Sequence, residues 1–125
     1  MNQFEYTTME FGSGLILVRK FHNRVNVNDI IASWEYLIDN NMLNEKFLGV
    51  INDLQDANLE MNQDCFHQLI SYMKMKPVFL RIKLAVICDT PDKILFPTIG
   101  EHMVKELRIK PFSTFDAAVQ WILKP

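Results

Sequence analysis

Phe47-Leu48-Gly49-Val50-Ile51 is the stretch on which the fold turns. It is too short for a helix, and it lacks the apolar–polar alternation of a half-exposed strand. It therefore predicts a strand covered on both faces, as at the centre of a parallel sheet packed between helices. The flanking segments agree. Upstream, Ile30, Ile31, Trp34, Leu37 and Ile38 recur at the spacing of one helical face. Asn26 or Asn28 can cap that helix, Asp29 suits its positive end, and Asn40-Asn41 closes it. Downstream, Asn62 can cap a second helix carrying Phe66, Leu69, Ile70 and Met73, which must end before Pro77. A second buried strand follows over 82–88.

Further from this centre the alternation continues. Residues 4–10 and 15–20 read as strands joined by Gly12-Ser13-Gly14, a hairpin that adds an antiparallel edge. Thr90-Pro91-Asp92 opens a third helix, which Pro97 and Gly100 break before it resumes through Met103, Val104 and Leu107. Residues 108–112 form a short last strand that Pro111 confines to an edge or a strand end. Ser113 with Asp116 resembles a capping box for a final helix bearing Phe115, Ala118, Val119 and Ile122. The expected order is β-β-α-β-α-β-α-β-α. This is a single α/β domain over 1–125, with a mixed, mostly parallel sheet, an N-terminal β-hairpin and four helices.

Composition narrows function by exclusion. The chain has 125 residues, 13 Lys plus Arg against 15 Asp plus Glu, and a formal charge of −2, so no basic surplus points to nucleic acid. Apolar residues at 49% and charged residues at 22% fit an ordinary globular core. No apolar stretch approaches the ~20 residues of a membrane span, and the first residues lack the basic and apolar segments of a signal peptide. Cys65 and Cys88 are too far apart in sequence for a redox or zinc motif. Both are expected to be buried thiols in a cytoplasmic protein.

Candidate chemistry is sparse. Asp53 and Asp56 follow one buried strand, and Asp89 and Asp92 follow the next, an acidic rim where α/β sheets bind ligands and where a hard cation would find oxygen ligands. The same acids serve equally as turn and cap residues. His22, His67 and His102 share no metal-binding spacing, and no serine stands in a nucleophile elbow. Lys74, Lys76, Arg81 and Lys83 form a modest basic stretch, read as a solvated face. The broken helix is expected to open a gap beside Phe96, Ile99, His102 and Met103, an apolar lining with one histidine that suits a small molecule. No catalytic set, cofactor or metal site is predicted.

Lys110-Pro111, with Asp53 and Thr90 at strand ends, resembles part of a response-regulator receiver site. The chain, however, has one βα unit too few and no acid pair after its first strand. A fuller resemblance covers nearly the whole chain. The opening hairpin, the helix with Trp34, the buried strand running into Asp53-Leu54, and the closing Phe112-Ser113-Thr114-Phe115-Asp116-Ala117-Ala118-Val119-Gln120-Trp121-Ile122 are similar to the SpoIIAA-like STAS domains of bacteria. That resemblance implies a non-enzymatic binding or regulatory domain acting on a protein partner or by self-association. Comparison of this branch with lipid-transfer domains implies the alternative, a carrier or sensor of a small apolar or anionic ligand. Antagonists of the family carry a phosphorylated serine where this chain has Met61-Asn62, and no serine or threonine lies between Ser33 and Ser71. The phosphoserine switch is therefore not implied.

Overall fold

The computed structural model describes residues 3–89 and 105–125. Strands β1 (Phe4–Phe11) and β2 (Gly14–Phe21) form the hairpin, with Gly12-Ser13 as the connection between paired Phe11 and Gly14. β4 (Phe47–Asp53) lies parallel to β2, and β6 (Lys83–Ile87) and β7 (Ile109–Phe112) continue the parallel set. The sheet order is β1-β2-β4-β6-β7, so the hairpin strand and the proline-bearing last strand occupy the two edges, as their residues require.

Alternation along the central strands sorts side chains to two faces. Leu17, Phe21, Val50, Leu84 and Val86 face helices α1 (Val27–Asp39) and α2 (Gln63–Lys74), which supply Ile30, Trp34, Leu37, Phe66, Ile70 and Met73 to the main core. Ile16, Ile51, Ala85 and Ile87 face the opposite way, onto Ala118 and Ile122 of the C-terminal helix α4 (Phe115–Leu123). Between α2 and β6, the four-residue helix α3 (Val78–Arg81) buries Phe79 edge-on against Trp34, with ring centroids 4.8 Å apart. Of the third helix expected from Thr90 through Leu107, residues 90–104 fall outside the described residues, and 105–107 form a turn and not a helix, with Leu107 buried.

Local signals set the helix starts. At α1, Asn26 Oδ1 accepts the Asp29 N–H at 2.9 Å and Asp29 Oδ2 accepts the Asn26 N–H at 3.0 Å, a reciprocal cap. Asn62 caps α2 through the Cys65 N–H at 2.8 Å. At α4 the cap is Thr114 rather than Ser113, because Thr114 Oγ1 accepts the Ala117 N–H at 3.2 Å. The helix thus starts one residue later than the Ser113/Asp116 spacing suggests, and Asp116 serves the first turn by charge. Cys88 is buried as expected, but Cys65, in the first turn of α2, is only half-buried.

One feature has no counterpart in the expected order. β3 (Asn23–Asn26) and β5 (Ala57–Glu60) form a separate two-stranded parallel sheet, with Val25 beside Leu59. β3 continues from β2 through His22, and Asn23 turns the chain with a φ of 61°. β5 follows β4, so the small sheet lies beyond the carboxyl ends of both central strands.

Trp121 lies at the margin of α4. It is half-buried, 5.5 Å from the Phe112 ring, and its carbonyl accepts the Lys83 ammonium at 2.8 Å. Lys83 also donates to the Lys124 carbonyl at 2.7 Å and so satisfies the end of the helix. Trp121→Ala is expected to cost less than the ~3–5 kcal/mol of a fully buried aromatic truncation, read by urea unfolding. A loss at or above that range would put the indole in the core.

Candidate functional site

The site is centred on Arg19, in the middle of β2. It is only 2% exposed, although it is the most polar side chain type in the core. Its place follows from the period of the strand. Leu17, Arg19 and Phe21 share the face toward α1 and α2, and both faces of β2 are covered. The guanidinium stacks over Trp34, 3.6 Å from the ring centroid, with Phe21 at 4.7 Å and Phe4 at 5.5 Å.

Two hydrogen bonds hold its edge. Nε donates to Asn52 Oδ1 at 2.9 Å, across the β2–β4 register that pairs these two residues. Nη1 donates to Ser33 Oγ at 3.1 Å, and the same hydroxyl meets Tyr6 Oη at 2.7 Å. Asn52 is in turn oriented by donating from Nδ2 to the Ala85 carbonyl at 3.1 Å. Both acceptors are neutral, and no carboxylate pairs with Arg19 among the described residues. Burial pulls its pKa down to about 9, which leaves it cationic at neutral pH.

Beside the guanidinium lies a cavity of about 90 Å³ between the sheet and helices α1 and α2. Arg19 and Asn52 are its polar lining among the described residues. The remainder is apolar, drawn from Trp34 of α1, Phe66 and Ile70 of α2, and Leu84 and Val86 of β6. Leu59 of the small sheet and Met61 just after it border the space, so β5 helps to enclose it. The cavity sits toward the carboxyl ends of the parallel strands, where ligands collect in open α/β sheets.

The residues singled out by sequence fall elsewhere. Asp53 ends β4, and its Oδ1 accepts the Gln55 N–H at 3.0 Å, a turn-forming bond. Asp56 is tied to Lys20 at 3.1 Å. Asp89 is exposed just beyond β6, and Asp92 lies outside the described residues. Among the described residues no three His, Cys, Asp or Glu side chains gather to hold a metal ion. Phe96, Ile99, His102 and Met103 also lie outside the described residues. In the basic stretch, Lys76 pairs with Glu35 at 3.3 Å, Arg81 donates to the carbonyls of Leu43 and Phe47, and Lys83 closes α4. These cations are committed to the fold.

Arg19 belongs to no sequence motif. Its signal is an arginine in strand register between Leu17 and Phe21, on a strand whose other face is apolar too. An arginine that shares a covered face with such neighbours must be buried, and a buried cation has to be explained.

No protein-family model matches the sequence, and no curated protein matches it. Solved structures do. An uncharacterized protein of the DUF3478 family with a SpoIIAA-like fold, from Shewanella loihica PV-4, superposes with a TM-score of 0.68 at 11% identity, over 98% of this chain and 95% of that one. The anti-sigma factor antagonist SpoIIAA, in its unphosphorylated form, superposes with a TM-score of 0.50 at 9% identity, over 94% of this chain and 97% of that one. The fold is therefore SpoIIAA-like, as the resemblance in sequence implied. Where the second helix starts, this chain has Asn62 as a backbone cap. Among the described residues no helix is long and apolar enough to cross a membrane.

Proposed function

We propose that this SpoIIAA-like chain is a non-catalytic binding domain that takes a small amphiphilic molecule between its sheet and helices α1 and α2. The observation that carries this reading is the cavity itself. An apolar lining gives a ligand hydrophobic contact, and one cationic edge gives it an orientation. Its size bounds the occupant. About 90 Å³ is several times the ~10–15 Å³ that one water needs and less than the ~150 Å³ of an engineered cavity that admits benzene. A cytoplasmic home belongs to the same reading and is supported by two cysteines held as thiols.

The test uses the methionine methyl groups as reporters. Met61 and Met73 line the cavity, whereas Met75 is 80% exposed and does not line it. Titration with 1-butanol should move the methyl resonances of Met61 and Met73 and leave Met75 unchanged. Absence of any shift at Met61 and Met73, for 1-butanol and for the four-carbon acid and amide alike, would remove the reading.

A second reading keeps the regulatory role of the SpoIIAA fold, through a protein partner or self-association and without a phosphoserine switch. Tyr36, Met75 and Leu80 favour it as large side chains left exposed. It rests on likeness of fold, which does not fix function. An enzymatic role for the acidic rim is weaker than either, because Asp53 and Asp56 already serve a turn and an ion pair.

A further inference from the structure

We propose that Arg19 is an anion-recognition residue, and that the cavity beside it binds a short-chain monocarboxylate with its carboxylate on the guanidinium and its alkyl group among Phe66, Ile70 and Leu84. The inference rests on the binding reading above and adds the ligand's charge and head group.

Among the described residues Arg19 keeps unspent donors and an unmatched charge. A guanidinium carries five N–H donors in a planar fork. Asn52 and Ser33 take one each, and Nη2 has no hydrogen-bond partner among the described residues. Trp34 and Phe21 cover the planar group, so what remains for a ligand is its edge. Arg19 lines the cavity, and the rest of the lining is apolar apart from Asn52. A cation taken out of water is costly unless it is paired. The neutral amide and hydroxyl that hold Arg19 position it without neutralising it. A carboxylate fits the open edge as a planar two-oxygen acceptor and supplies the missing charge.

The remaining lining selects the rest of the ligand. Sulfate or phosphate would set further charged oxygens against Phe66, Ile70 and Val86, which offer them no donors. An alkyl chain has the opposite preference. A volume of about 90 Å³ beside the guanidinium seats roughly three or four carbons.

Calorimetric titration of the full chain at pH 7 with sodium butyrate and with butyramide, its neutral counterpart, tests the inference. Butyrate is expected to bind at least tenfold more tightly, with the Met61 and Met73 methyl resonances shifting on saturation. Arg19→Met should erase that preference while butyramide still binds. Equal binding of acid and amide to the wild-type chain would overturn the anion inference and leave the binding reading standing. Failure of butyrate, butyramide and 1-butanol alike to bind would overturn both. Retention of the tenfold preference in a folded Arg19→Met variant would overturn the role of Arg19. The comparison of acid with amide in the wild-type chain decides the question even if that variant does not fold.

Discussion

Asn52→Leu is expected to destabilise the protein by about 3–5 kcal/mol, the cost of leaving a buried cation short of a partner. Asn52 is 5% exposed, accepts the Arg19 Nε bond at 2.9 Å and spans to the Ala85 carbonyl at 3.1 Å. Leucine keeps the volume and removes both bonds. Arg19→Met is expected to cost less, about 1–3 kcal/mol, because it removes the charge and leaves a neutral amide oxygen unsatisfied. Ser33 keeps its 2.7 Å bond to Tyr6 in that variant. Combining the two substitutions removes cation and acceptor together, so the double variant should be more stable than Asn52→Leu alone. Urea unfolding of the four proteins measures the coupling. Additive losses, within about 0.5 kcal/mol, would mean that the pair does not act as a unit.

Such a network shows why the fold was readable from sequence and the site was not. The parallel core announces itself through runs such as Leu48 to Ile51, because a strand buried on both faces needs apolar residues at consecutive positions. Helices α1 and α2 are legible from periodicity and from Asn26 and Asn62, since a cap acts within four residues of chain. The small sheet is not legible. Asn23-Arg24-Val25-Asn26 and Ala57-Asn58-Leu59-Glu60 are short and polar, and each is a strand only because the other lies beside it. The cap at Thr114 is not legible to the residue, because adjacent Ser113 and Thr114 offer the same chemistry and only backbone geometry chooses between them. Arg19 belongs to a third category. Its burial follows from register, but the company it keeps (Asn52, Ser33, Trp34) comes from a different strand and a helix, at separations of 14 to 33 residues. A motif is local in sequence, whereas this site is assembled across the chain. The acids at the strand ends are near one another in sequence, yet Asp53 and Asp56 are bound to turn and lysine.

Gly49→Ala should be the most damaging single-methyl change in the sheet. Gly49 lies in β4, in the row that faces α4, and it pairs in register with Lys83 of β6. A methyl group built there would sit 2.5 Å from the Lys83 carbonyl oxygen and 2.9 Å from Ile122 Cγ2. The isoleucine can adjust by rotating, but the carbonyl belongs to the neighbouring strand and moves only with the sheet. Overpacking of a core ordinarily costs about 1–3 kcal/mol, and a backbone obstacle places this site at or above the upper end. A domain of this length has total stability on the order of 6–19 kcal/mol, so Gly49→Ala should fold with a clearly lowered midpoint and Gly49→Leu should not fold. Ile122→Ala added to Gly49→Ala separates the two contacts. If the helix side chain were the main obstacle, the double variant would regain most of the loss. Recovery of less than half in urea unfolding is expected, because the Lys83 carbonyl remains in place. The geometry also explains why glycine interrupts an otherwise apolar run in the strand that defines the fold. At that position α4 and β6 both come so close that anything larger than a hydrogen must displace one of them.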